Sequence, residues 1–132
     1  MTSDMKISRG RAQGDSRRGQ NTFTGTVHQD TVLENRPAIA INDNFFEPGA
    51  RSYWHSHEGG QVLIVKAGQG HIHNRSGESA PIGPGDIIYA DPGEEHWHGA
   101  DPRTYILHTA ISMGVTKWLE EVSEEDYKRI TG

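Results

Sequence analysis

Gly49-Ala50-Arg51-Ser52-Tyr53-Trp54-His55-Ser56-His57-Glu58-Gly59-Gly60-Gln61 is the stretch on which the reading of this chain turns. On a β-strand, residues i and i+2 point to the same face, so His55 and His57 can converge on one point. The Gly59-Gly60 pair marks a tight turn, after which Gln61–Ala67 reads as the returning antiparallel strand. That return can bring the Gln61 side chain back beside the two imidazoles. Further along, His96-Trp97-His98 repeats the i, i+2 device after the Pro92-Gly93 turn. A lone surface histidine carries little information. Two such pairs, each adjoining a glycine-rich turn in a chain without cysteine, carry more.

Outward from this stretch the text is one of short β-prone runs. Candidate strands are Thr22–His28, Ala38–Phe46, Tyr53–His57, Gln61–Ala67, Gly70–Asn74, Ser79–Ile82, Asp86–Ala90, His96–His98 and Tyr105–Ser112. Turn clusters such as Glu47-Pro48-Gly49, Arg75-Ser76-Gly77, Gly83-Pro84-Gly85 and Asp91-Pro92-Gly93 separate them. Gly68, Gly70, Gly85 and Gly93 are read as turn formers. Many short strands at this spacing predict an all-β sandwich or barrel. After Met113 the pattern changes. Thr116–Glu121 suggests a helical turn or two, and Ser123 then opens Glu124-Glu125-Asp126, a capping-box-like helix start running to about Ile130. Trp118, Leu119, Val122, Tyr127 and Ile130 would form its apolar stripe. At the other end, Met1 to Asn21 sets Lys6, Arg9, Arg11, Arg17 and Arg18 against Asp4 and Asp15. The expected organisation is a flexible basic arm (1–21), a single β domain (22–113) and a C-terminal helical segment (114–132).

Composition bounds the function. At 132 residues one domain is expected, and 33% apolar residues with a net charge of only −5 do not describe a disordered chain. A pI near 5.9 argues against nucleic acid as a partner. No apolar run approaches the roughly 20 residues needed to cross a bilayer, and the N-terminus has no apolar signal core. The cytoplasm is therefore the default location. Eight histidines and no cysteine mean that any metal would be held by nitrogen and oxygen.

Gly49-x5-His55-x-His57-x3-Gln61-x6-Gly68 resembles the first motif of the cupin superfamily, with Gln61 where Glu is usual. Gly85-Asp86 through Pro92-Gly93-x-x-His96 resembles the second, with Asp91 replacing the usual first proline and Ala100 at the usual trailing Asn. Phe23-Thr24-Gly25-Thr26-Val27, Phe46-Glu47-Pro48-Gly49-Ala50-Arg51, His96-Trp97-His98-Gly99-Ala100 and Trp118-Leu119 are similar to a narrower group. These are the small single-domain bacterial cupins that include manganese-dependent hydroxynitrile lyases, in which Gln at the fourth ligand position is expected. The resemblance implies a jelly-roll-like double-sheet barrel and a divalent metal held by His55, His57, Gln61 and His96. Manganese is the metal it favours, while the donor set also suits Fe, Co, Ni or Zn. It further implies a homodimer or homotetramer built through N-terminal strands and outer sheet faces, with the apolar 23–33 segment suited to the contact.

Four protein ligands on an octahedral ion leave two positions for water or a substrate oxygen, and an amide in place of a carboxylate leaves a stronger Lewis acid. His98 shares a strand face with His96, and His108 sits mid-strand in an apolar run where an imidazole must be hydrogen-bonded or used. Both are candidate general acid or base groups. Asn42 and Asn44 share one strand face and, if that face lines the cavity, would hydrogen-bond a polar substrate group. His71 and His73 are expected at a rim or in solvent, and Trp54 and Trp97 in the packing around the ligands. Three functions compete for a small-molecule substrate. One is a lyase that cleaves or forms cyanohydrins, with the metal as Lewis acid and a histidine as base. The others are a dioxygenase acting on a flavonol or diketone and a non-catalytic small-molecule-binding cupin.

Overall fold

The strand Ile106–Ser112 shows how the sequence builds its layers. Ile106, His108 and Ala110 are buried while Leu107, Thr109 and Ile111 are half-exposed, the period-2 signature of a sheet with one face on a core. In the computed structural model, which describes residues 5–36 and 38–132, this pattern recurs through two facing sheets. The first four residues of the expected basic arm lie outside the described residues.

The elements in chain order are β1 (Arg17–Arg18), β2 (Phe23–Thr24), β3 (Val27–Leu33), β4 (Ala40–Phe46), β5 (Arg51–Ser52), β6 (His55–His57) and β7 (Gln61–Gly68). They continue as β8 (Gly70–Asn74), β9 (Ser79–Ile82), β10 (Ile87–Ala90), β11 (His96–Ala100), β12 (Ile106–Ser112), β13 (Thr116–Trp118) and α1 (Glu124–Thr131). One sheet runs β1-β3-β4-β12-β7-β10, and the other β13-β6-β11-β5-β2 with β8 and β9 attached through β11. All pairings are antiparallel. The all-β fold is the one the strand spacing predicts, the C-terminal helix the one the Ser123 cap predicts, and the double-sheet barrel the one the cupin resemblance implies.

Two clusters hold the layers together. Val27, Phe46, Ala50, Val65, Ile82, Ala100 and Ile106 form the core at one end of the barrel. Trp54, Trp97, Val122 and Tyr127 form a second, beneath α1. Burying side chains of this size contributes roughly 1.5–3 kcal/mol each. The helix starts as its sequence predicts, with the Ser123 hydroxyl accepting from the Asp126 amide at 3.1 Å. Tyr127 anchors it by donating to the Ala100 carbonyl, and the Arg51 guanidinium lies 4.3 Å over the Tyr127 ring.

Three expectations are corrected. Thr116–Trp118 is a strand, not a helical turn, because the chain doubles back to pair with the otherwise unpaired edge of β6 (Thr116↔His57, Trp118↔His55). His71 and His73 are buried rather than at a rim. His71 bonds Asp101 at 3.0 Å, and His73 accepts from the Trp97 indole at 3.1 Å. Gly70 is a strand residue rather than a turn residue: it opens β8, where a Cβ would come within 2.3 Å of the Gly99 carbonyl oxygen. Within the basic arm, Arg17 and Arg18 pair with Gln29 and His28 of β3.

Candidate metal centre and cavity

Two strands and one turn assemble the histidines. His55 and His57 face inward from β6, and antiparallel pairing sets His96 of β11 directly opposite His55. The turn before β7 ends in Gly60 at φ +91°, where a Cβ would meet the Ala90 carbonyl oxygen at 2.8 Å. Only glycine fits that bend, and it delivers Gln61 to the same point. The ring centroids of His55 and His96 are 4.5 Å apart, those of His55 and His57 5.0 Å, and those of His57 and His96 5.9 Å.

The hydrogen bonds fix which atom each ring offers. His55 Nδ1 donates to the Tyr53 carbonyl at 2.8 Å and His96 Nδ1 to the Glu94 carbonyl at 3.0 Å. A carbonyl only accepts, so in each neutral ring Nε2 is left as the lone-pair nitrogen. His57 Nδ1 pairs with the Thr116 hydroxyl at 2.9 Å, and its Nε2 is buried without a partner among the described residues. The Gln61 amide nitrogen donates to the Ser112 hydroxyl at 3.0 Å, which turns its oxygen to within 2.9 Å of His96 Nε2. Two acceptors so close repel each other, whereas a cation beside them turns both into ligands.

Burial lowers the pKa of every imidazole in the group. His57 is pushed down to about 4 by desolvation and then by His96, and His55 falls well below its ordinary value for the same two causes with His57 added. His96 is also lowered, again chiefly by burial. All three are neutral at pH 7 and free to donate lone pairs. Three buried histidines, His55, His96 and His98, present ring nitrogens within 4.8 Å of one another and could hold a metal ion. This trio differs from the sequence-based set by taking His98 in place of His57 and Gln61. The His57 Nε2, with no partner among the described residues, and the Gln61 oxygen, 2.9 Å from His96 Nε2, belong to residues that line the same cavity. The donor set of neutral nitrogen and amide oxygen fits a first-row divalent ion.

A cavity of about 850 Å³ opens onto this group. Asn42, Asn44, Gln61 and Ser112 line its six-stranded side, and His55, His57 and His98 its other side. Asn42 and Asn44 therefore face the cavity rather than solvent; Asn44 also accepts from the Gln29 amide at 3.4 Å. His96 and His108 are not among the lining residues. His108, wholly buried, stands behind His98 with its Nε2 3.1 Å from His98 Nδ1. Burial pushes His108 down to about 4, and burial followed by the neighbouring imidazoles drives His98 well below its ordinary value. Arg17, Ser112, Thr116 and Trp118 are among the cavity residues that the sequence alone does not place there. Only the strand register reveals them, since Ser112 pairs with Gln61 and Thr116 with His57.

Residues 45–106 match the Cupin domain family. An (R)-mandelonitrile lyase from Granulicella tundricola is 40% identical over 131 residues, covering 95% of this chain and 100% of that protein. A cupin-like protein from Thermotoga maritima has TM-score 0.82 and 34% identity, with 98% of each chain covered. A predicted oxalate decarboxylase from the same organism has TM-score 0.70 over 83% of this chain and 100% of that one. At 23% identity, that likeness speaks to fold alone.

Proposed function

The chain belongs to the cupin family, and from that premise we propose that it is a manganese-dependent lyase that cleaves cyanohydrins to an aldehyde and hydrogen cyanide, and forms them in reverse. The observation that carries this reading is the cluster of neutral acceptors described above, set next to an unprotonated imidazole that faces the cavity. The likeness to a relative named (R)-mandelonitrile lyase supports the substrate class.

His55, His57, Gln61 and His96 are assigned as ligands. A divalent cation held by them supplies Lewis-acid polarisation of a substrate oxygen. None of the four ligands carries negative charge, so none would offset the charge of a cation held there. His98 is the acid–base group. When His98 Nδ1 donates to His108 Nε2, His98 Nε2 is an acceptor on the cavity side and can take the cyanohydrin hydroxyl proton. The oxygen electron pair then forms the carbonyl, the bond to the nitrile carbon breaks, and the imidazolium returns its proton to the departing cyanide. His108 acts through His98, holding its tautomer and ring plane, because His108 itself does not line the cavity. Asn42 and Asn44, which line the cavity, would hydrogen-bond the polar groups of the substrate.

The test is cyanide release from mandelonitrile by manganese-loaded protein against a chelated control. We expect release that depends on manganese and falls at least 100-fold in His98→Ala at unchanged metal content. Release no faster than the chelated control removes the lyase assignment.

A further inference from the structure

The histidine cavity opens past a cation. Pairing of β1 with β3 sets Arg17 opposite Gln29 and carries its guanidinium to the cavity wall. There Arg17 Nη2 reaches the Thr31 hydroxyl at 3.2 Å and the Asn42 amide oxygen at 3.5 Å, while Nη1 and Nε have no partner among the described residues. No described carboxylate pairs with Arg17. The charges of the wall do not cancel. Among the described residues Glu34 is the one acidic side chain lining the cavity, and it lies 3.6 Å from Arg36, the second lining arginine. Arg17 is left over.

Besides apolar Leu33, Ala40, Ala110 and Trp118, the wall carries the neutral polar side chains of Gln29, Thr31, Asn42, Asn44 and Ser112. An anionic group entering here meets donors and an unbalanced guanidinium. A purely apolar group would desolvate them without return. We infer that the substrate of this site carries a carboxylate, seated by Arg17 at the outer part of the cavity while the carbinol or aldehyde end reaches the histidines. The aldehyde class is therefore a formyl- or oxo-carboxylate. This inference rests on the lyase reading for the reacting end of the substrate, and on Arg17 alone for the carboxylate.

The test separates the two. Binding of benzoate and of its neutral isostere benzamide to manganese-loaded protein is measured by titration calorimetry, with quenching of the cavity residue Trp118 as a second readout. Wild type is expected to prefer benzoate by about tenfold, a preference that shrinks with added salt, and Arg17→Leu to erase it. Arg17→Glu should lower benzoate affinity further, while melting curves establish that both variants fold. In parallel, 4-carboxymandelonitrile should be cleaved with about tenfold higher kcat/KM than mandelonitrile by wild type, and the ratio should fall to about one in Arg17→Leu. A benzoate preference that is absent, or that survives Arg17→Leu, overturns the carboxylate seat. An Arg17-dependent preference with neither nitrile cleaved sustains the seat and sinks the lyase reading.

Discussion

Gln61 is a single residue on which two properties of the centre depend in opposite directions. Its amide oxygen is aimed at His96 only because Ser112 takes the amide nitrogen. A carboxylate there would bind a cation more tightly and leave it a weaker Lewis acid. Gln61→Glu should therefore keep manganese at a chelator concentration that strips the wild type, yet release cyanide at least tenfold more slowly. Elemental analysis and a cyanide assay on the same samples check this, and a variant that is both tighter and faster would contradict the charge argument. At this scale much was legible in the sequence. The His-x-His pairs and Gln61 announce themselves by spacing, because side-chain alternation along a strand is fixed geometry. Ser112, Thr116 and Arg17 did not, because their places are set by which strands pair and in what register, which no local pattern encodes.

Among the elements, α1 and β13 show the same division. The helix could be read from Ser123 and the three acids after it, since capping is a local interaction. Ser123→Ala removes the acceptor for the Asp126 amide and should destabilise the protein by about 1 kcal/mol, lowering Tm by roughly 4 °C in a thermal melt. Retention of the wild-type Tm would mean that the docking of Tyr127 and Val122, rather than the cap, decides whether this helix forms. The stretch Thr116–Trp118 is a strand despite its helical expectation because its residues suit either state and the deciding factor lies far away in sequence, at the open edge of β6. His71 and His73 depart from their expected place at the rim for a related reason. Their alternation with Ile72 is compatible with a solvated face, and only the packing of Trp97 and the reach of Asp101 turn that face inward.

For the molecule as a whole, burying so many imidazoles ties stability to pH. His108 has its pKa depressed from the ordinary 6.5 to about 4 by burial, and His98 is lowered by burial and its neighbours. Above pH 6.5 neither the folded nor the unfolded chain protonates these rings, and the fold has its full stability. Between 6.5 and about 4 the unfolded chain binds protons that the folded one refuses, so stability falls as pH falls through that window. Asp101 acts in a separate range. The Arg103 hydrogen bonds, with that of His71, hold its carboxyl well below the usual carboxylate value, so its contribution persists until pH drops below about 4. The metal-free protein should thus lose Tm steadily from pH 6.5 to 4.5, well before the carboxylates titrate. Replacing one imidazole by a side chain that does not titrate, as in His108→Asn, should flatten that slope whatever it does to Tm at pH 7. Calorimetric melts of chelator-treated wild type and variant across this range read the slopes directly. A wild-type Tm that stays level from pH 7 to 4.5 would mean that the buried histidines accept protons within the fold, and that the enclosure holding them neutral for ligation and proton transfer is looser than their burial implies.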